Sequence, residues 1–412
     1  VWLTYDIIEN KLVGMKSIFE KFKEEAKDEI NRCASIKKHI KEHTFSDVRL
    51  STLYDNFIHK NGDICLIFEL LGVSMVTIIE QSEGIVHLNA IKKIMKDILS
   101  GLNTLHELKL IHTDLKPENI LTNIYTRGVL FYKQLFLENN FNEQYQQFVT
   151  ECLPKEYSNF NQAKKKKSKR VTKNKAGKKL CDKIKLVVNK AIENEMNKFE
   201  ESNNQITELG DIENEINLDD LASEGESNYF TFKDYQSQII LENEEIVEAI
   251  RAKIIDFGNC EDFDNKMQDE ISVRSYRPPE NFMNSFFNEK ADLWTVGCLL
   301  FEFLTGEYLF EIDSDCGQNE RDRRYLYEMF KILGKIPKNL CLECEFSKDL
   351  FDNKGRILKK REIDFTSISE LLIDKANYQH ESADELEKVI RKFLEYDVNK
   401  RISAQEALQL EW

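Results

Sequence analysis

The run from Leu110 to Leu121 sets a carboxylate, an ammonium and an amide in fixed order between two apolar flanks. Asp114 comes first, Lys116 two residues on, and Asn119 three further. Leu110 and Ile111 before the polar residues, and Ile120 and Leu121 after them, read as short buried strands. Such flanks would hold a polar loop rigidly at the edge of a core. Chemistry run by positioning and electrostatics needs that rigidity. The order fits phosphoryl transfer, in which a carboxylate orients and accepts from a hydroxyl, a lysine neutralises charge on the moving group, and an amide oxygen holds a metal. An ordinary polar turn has no reason to keep these residue types in this order.

The pattern His112-Thr113-Asp114, Lys116 and Asn119 resembles the catalytic loop of eukaryotic protein kinases. Other segments fall in place around it. Residues 1–20 alternate like a hairpin, with Lys16 centred in the apolar strand Leu12–Ile18, where an ammonium needs a partner. Residues 20–40 form a helix with Phe22, Ala26, Ile30 and Cys33 on one face. Glu29 beside that face is the expected partner of Lys16, with Glu25 as the alternative. Strands are expected over 48–58 and 63–71, the second running to Gly72. A long amphipathic helix over 88–109 leads into the loop.

Order returns at the strand that ends in Asp256-Phe257-Gly258. Alone that tripeptide says little; following Asp114 and Asn119 it says much more. Sixteen residues after Asp256 comes Ser272-Val-Arg-Ser-Tyr-Arg-Pro-Pro-Glu280. Glu280 is expected to pair with Arg401, and Asp292, opening a helix apolar nearly all round, to cap that helix or brace the loop. Further helices are expected over 323–333, 366–374, 384–396 and 403–410.

Between 123 and 250 the apolar periodicity fades. Lys164–Lys179 holds ten Lys or Arg and no acid; Glu200–Glu226 holds ten acids and no base. Opposite charge blocks of this kind predict a mostly disordered insert, with some amphipathic helix near 129–150 and 180–200. The basic block fits a localisation signal, a docking tail or a solvated run. A closed loop of this length is tolerable, because closure entropy grows only slowly with length.

Composition narrows the class. The net charge of −15 argues against a general nucleic-acid binder and fits a basic partner or substrate. Nine scattered cysteines predict a reducing compartment, the cytoplasm or the nucleus. The lone pair Cys341 and Cys344 has no second pair at zinc spacing and reads as packing. No apolar run approaches the ~20 residues of a membrane span.

Taken together, Lys16, Glu29, Asp114, Lys116, Asn119, Asp256, Glu280, Asp292 and Arg401 resemble a protein kinase over nearly the whole chain outside the insert. Lys116 is similar to serine/threonine rather than tyrosine kinases. Val1-Trp-Leu-Thr-Tyr-Asp6, Val13-Gly-Met-Lys16, His112-Thr-Asp114, Ile271-Ser-Val-Arg-Ser-Tyr-Arg277, Leu304-Thr-Gly-Glu-Tyr-Leu-Phe310 and Ile332-Leu-Gly-Lys-Ile-Pro337 are similar to the SR-protein kinases. LAMMER dual-specificity kinases share several of these features and are the nearest alternative.

The resemblance implies an α+β, two-lobed fold. Residues 1–72 would form the small β-rich lobe without its Gly-rich loop, and 73–122 the start of the helical lobe with the catalytic loop. The charged insert would take 123–250, and the rest of the large lobe 251–412. It implies ATP and Mg²⁺ as cofactors, with Asn119 and Asp256 on the metal and Lys16, fixed by Glu29, on the phosphates. Val1, Leu71 and Leu121 would contact the adenine, Glu69 and Leu71 would offer it backbone groups, and Phe68 would back the pocket. Partners implied are proteins with basic Arg-Ser-rich segments of mRNA processing. No membrane is expected, nucleic acid is not expected to bind directly, and a monomer is expected.

Departures carry their own expectations. The chain begins where the Gly-rich loop should already have ended, which fits a fragment or a weak ATP binder, so a pseudokinase scaffold is the rival reading. Gly14 stands where the family has alanine, and Val273 where it has threonine, with Ser272 beside it. Thr113 replaces the usual arginine, so no activation-segment phosphate is needed to neutralise that position. Near 311–328 the family's acidic docking groove is matched by Glu311, Asp313, Asp315, Glu320 and Asp322, interrupted by Arg321, Arg323 and Arg324.

Overall fold

The computed structural model describes residues 1–42, 48–82, 86–155, 157–159, 161–206, 244–263, 271–282, 287–311, 318–343, 351–358 and 364–412. The chain divides into two units. The first holds residues 1–2, 14–125 and 238–412; the second holds 3–13 and 126–237.

The strands β1 (Trp2–Asp6) and β2 (Lys11–Ile18) open the chain. In the first unit β2, from Gly14 on, is followed by α1 (Lys23–Glu42), β3 (Leu53–Ile58) and β4 (Ile64–Phe68). β4 pairs antiparallel with both β2 and β3, placing Lys16 opposite Leu66. α1 has acids in its first turn and His39 and Lys41 in its last, in the sense its dipole favours. It buries Ala26, Glu29, Cys33 and Ile36. Phe22, expected on that face, precedes the helix and is exposed. The buried stripe instead takes up Glu29 and continues to Ile36.

After α2 (Met75–Gln81), α3 (Leu88–Glu107) carries Ile91, Ile94, Met95, Ile98, Leu102 and Leu105 into the main core. Short strands β5 (Leu110–Ile111) and β6 (Ile120–Thr122) bracket the polar loop. β6 pairs with β7 (Ala252–Ile254), Ile120 opposite Ile254, and β5 with β8 (Glu261–Asp262). The apolar flanks are therefore strands, and they bring residues from both sides of the insert into register.

In the second unit the expectation of a mostly disordered insert does not hold for the described residues. There α4 (Arg127–Asn139), α5 (Phe141–Cys152) and α6 (Gln162–Ile206) are helices. Thr172, Ala176 and Leu180, spaced by four, form a buried stripe on α6 despite the lysines around them. The hairpin 3–13 belongs to this unit: Asn142 donates to the carbonyls of Ile7 and Ile8, at 2.7 and 3.0 Å. Tyr5 packs on Phe136 and Phe141. Most of the acidic block lies outside the described residues.

The first unit resumes with α7 (Glu244–Ala249) before β7, and after β8 continues through α8 (Pro279–Phe282) and α9 (Lys290–Thr305). α9 is buried almost throughout, so it stands at the centre of the core, and it ends where Gly306 takes a left-handed φ of 76°. α10 (Gln318–Leu333), α11 (Lys338–Glu343), α12 (Ile368–Ala376), α13 (His380–Phe393) and α14 (Ala404–Ala407) complete the helical part. Capping boxes at Ser367/Glu370 and Ser403/Glu406 start α12 and α14. Cys341 is buried, as packing requires, while Cys344 lies outside the described residues.

Candidate active site

Asp292, at the start of α9, fixes the polar loop by its backbone. Its carboxylate accepts from the amides of His112 (2.8 Å) and Thr113 (3.0 Å), and His106 Nε2 lies 3.0 Å away. It therefore braces the loop rather than capping its own helix. Thr113 sits at a left-handed φ of 65°, unfavourable for a β-branched residue. Three contacts hold it there: its amide on Asp292, its hydroxyl on the Asn259 carbonyl at 2.7 Å, and its carbonyl, which accepts from the Ser272 hydroxyl at 2.7 Å. Ser272 thus supplies the bond to the loop, while its neighbour Val273 is exposed. His112 Nδ1 accepts from the Asp114 amide at 3.3 Å, so Nε2 carries the proton and donates to the Ile255 carbonyl at 3.0 Å.

On this frame Asp114 Oδ2 accepts from Lys116 Nζ at 2.9 Å. Asn119 Nδ2 donates to the Asp114 carbonyl at 2.8 Å. That bond fixes the amide orientation and turns Asn119 Oδ1, which has no partner among the described residues, outward as an acceptor.

Lys16 Nζ stands 3.0 Å from both carboxylate oxygens of Glu29 and 2.8 Å from Asp256 Oδ1. Glu29, not Glu25, is the partner. Burial works to lower the Lys16 pKa, but the charges of Glu29 and Asp256 outweigh it and hold the ammonium above its ordinary range. Burial raises Glu29 even against Lys16. Asp256 is lowered: burial opposes this, and the Lys16 charge and hydrogen bond overcome it. Asp256 has a left-handed φ of 66°. Arg32, one turn beyond Glu29 on α1, donates to the carbonyls of Phe257 (3.2 Å) and Gly258 (2.5 Å).

The residues expected around a nucleotide base are arranged less uniformly. The Val1 side chain lies over Gly14, 3.9 Å from where a Cβ would stand. Leu121 is in β6, opposite Lys253. The amide and carbonyl of Leu71 take no partner among the described residues. The Glu69 amide, in contrast, donates to the Thr52 carbonyl at 3.0 Å, which leaves that N–H unavailable to a base. The Glu69 side chain is also committed, to Lys253 Nζ at 2.8 and 2.9 Å and to the Thr52 amide at 2.8 Å. Gly72 passes so close to Ile124 that a Cβ would stand 1.9 Å from its carbonyl oxygen.

The segment after Ser272 is locked to the core. Arg277 donates to the carbonyls of Ile271 and Ser272, and Arg401 makes a two-pronged pair with Glu280 at 2.7 and 2.8 Å, both side chains buried. Tyr276 donates to Glu302 Oε2 at 2.7 Å. Burial pushes the Glu302 carboxyl up to about 7; the Tyr276 bond pulls the other way and Glu118 adds to the rise. Of the acids expected to form a docking groove, Asp322 is paired with Arg274 and Glu320 with Arg323 and Arg324. Asp313 and Asp315 lie outside the described residues.

Arg32, Asn259, His106, Lys253 and Glu302 carry parts of this site that the sequence reading did not reach. Arg32 alone had a local signal, its position three residues after Glu29. Its partners, like most of those of the others, lie far along the chain or on the backbone.

The residues fit a nucleotide accompanied by a divalent metal. Among the described residues no cluster of three or more His, Cys, Asp or Glu could cage a metal unaided. One carboxylate, Asp256, and one outward amide oxygen, on Asn119, suit an ion that keeps its waters and shares substrate phosphates.

The protein kinase domain family matches residues 1–133 and 227–412. Protein kinase dsk1 of Schizosaccharomyces pombe is 26% identical over 98% of this chain and 76% of its own length. SRSF protein kinase 3 of Mus musculus is 25% identical over 100% of this chain and 83% of its own. Serine/threonine-protein kinase spk-1 of Caenorhabditis elegans is 25% identical over 99% of this chain but only 46% of its own. The family match covers most of the chain and leaves out much of the insert, and the chain belongs to the protein kinase family, as a serine/threonine kinase similar to the SR-protein kinases.

Proposed function

We propose that the chain transfers the γ-phosphoryl group of Mg²⁺·ATP to serine or threonine hydroxyls in basic, Arg-Ser-rich proteins of mRNA processing. One observation carries the reading: Lys16 joins Glu29 and Asp256, while Asp114 holds Lys116 and Asn119 on a loop braced by Asp292. Asp114 orients the acceptor hydroxyl and takes its proton. Lys116, now on Asp114, neutralises charge on the group in transfer. Lys16 binds the nucleotide phosphates, with Glu29 setting its position. Asn119 and Asp256 hold Mg²⁺, which when bound supplies positive charge to the phosphate oxygens. Val1, Leu71 and Leu121 line the base, and of Glu69 only the backbone carbonyl remains for it.

The net charge of −15 supports a basic substrate. A substrate guanidinium approaching Asp322 or Glu320 must compete with Arg274, Arg323 and Arg324. The reading extends to a monomer working in the cytoplasm, the nucleus or both.

Phosphate transfer from Mg²⁺·ATP to an Arg-Ser-repeat peptide and to an acidic-site peptide, with an Asp114→Asn control, tests this. Transfer to the Arg-Ser peptide that vanishes in the control is expected. Preference for the acidic-site peptide would overturn the substrate assignment. Transfer that survives in the control would overturn the role of Asp114.

A further inference from the structure

We propose that Arg32 is a positioning residue for the magnesium-binding carboxylate of Asp256, acting through the peptide backbone. Among the described residues its guanidinium forms no ion pair. Both of its hydrogen bonds go to the carbonyls of Phe257 and Gly258, at 3.2 and 2.5 Å. These are the carbonyls of the two residues that follow Asp256.

That choice of partners matters because Asp256 is held at a φ of 66°, which L-residues seldom adopt without outside support. Bonds to the carbonyls of 257 and 258 fix the orientation of these peptides, and with them the direction in which the Asp256 side chain leaves the chain. On the far side Thr113 holds the next carbonyl, that of Asn259, at 2.7 Å. The segment is pinned from α1 at 257 and 258 and from the catalytic loop at 259.

Glu29 and Arg32, three apart, project from one side of α1. Glu29 reaches Asp256 through the Lys16 ammonium, and Arg32 reaches it through the backbone. The seating of α1 and the metal-ready geometry of Asp256 are thereby one event. Both bonds leave one guanidinium nitrogen, so a lysine ammonium, with three donors on a shorter side chain, could replace them in part and alanine not at all. Removal of an outer partner of a metal ligand typically weakens metal affinity by roughly 10- to 100-fold.

The inference rests on the kinase reading, and calorimetric binding of ADP to the full chain tests it, with and without Mg²⁺. For Arg32→Ala, Mg²⁺·ADP affinity is expected to fall about tenfold or more, with metal-free ADP changed less than about twofold. Arg32→Lys should recover part of the loss. In transfer assays the Mg²⁺ concentration for half-maximal rate should rise in parallel, with the peptide KM unchanged. Mg²⁺·ADP binding by Arg32→Ala within twofold of wild type would overturn the proposal. So would an equal loss with and without metal, since a general loosening of α1 would weaken both. Should Arg32→Ala fail to fold, Arg32→Lys and Arg32→Gln are judged on the same metal-dependent difference. A wild-type chain that binds no Mg²⁺·ADP would instead refute the kinase reading, and the inference with it.

Discussion

The Ser272 hydroxyl donates to the Thr113 carbonyl at 2.7 Å, joining the activation segment to the catalytic loop with neutral groups alone. Thr113 carries no charge for a phosphate to neutralise. Phosphatase-treated protein, with its phosphate content read by mass spectrometry, should keep its full initial rate; a large drop would show that a phosphate elsewhere does this work.

Replacing Ser272 by alanine removes that bond at a net cost of about 1 kcal/mol. If the bond is worth that much more in the transition state than in the ground state, kcat should fall by about fivefold with the KM for ATP unchanged. A changed ATP KM with constant kcat would place the role of Ser272 at the nucleotide instead.

Asp114→Asn keeps the size of the side chain and its bond from Lys116 while removing the proton acceptor. Loss of a positioned base costs about 10²- to 10⁴-fold in rate. Nucleotide affinity should stay near wild type, because Lys16, Glu29 and Asp256 are untouched. Equal losses in rate and affinity would mean the loop had collapsed.

Glu302 ties stability to pH. Its folded pKa of about 7 lies above the ordinary 4.5, so the folded state holds this proton more tightly than the unfolded chain. The linkage therefore lowers stability as pH rises from 4.5 to 7. The shift corresponds to roughly 3 kcal/mol at full ionisation. Glu302→Gln keeps an acceptor for Tyr276 and should be more stable than wild type at pH 8, with the advantage shrinking toward pH 5. Denaturant melts at both pH values check this; parallel curves would refute it.

Arg401 is fully buried and paired with Glu280. Arg401→Ala leaves a buried carboxylate alone and should cost about 3–5 kcal/mol. Arg401→Ala with Glu280→Ala should cost less than the sum of the two single changes, which a double-mutant cycle measures directly.

Legibility in the sequence followed the physical reach of each interaction. Asp114, Lys116 and Asn119 could be read because one short loop holds them, and Lys16 because an ammonium inside an apolar strand demands an explanation. Glu29 followed from helical spacing. Arg32 was missed because its partners are carbonyls, which every residue has and no composition reveals. His106 was missed because its partner Asp292 lies 186 residues away. Helix near 129–150 and 180–200 was legible, but its extent through the basic block 162–180 was not, for a different reason. Lysine density argued for a solvated chain, yet a stripe as thin as Thr172, Ala176 and Leu180 suffices to seat one face of α6.

The pairing of β6 with β7 also sets a schedule. Ile120 and Ile254 stand opposite each other in the ladder, but the ribosome makes one well before the other. Between Asn119 and Asp256 lie 137 steps of synthesis, about 7 to 27 seconds at ordinary translation speeds. During that interval the nascent chain has the polar loop but neither the strand that registers it nor the Asp256 carboxylate that pairs with Lys16. The two halves of the β6–β7 pair can therefore meet only after the whole insert has been made.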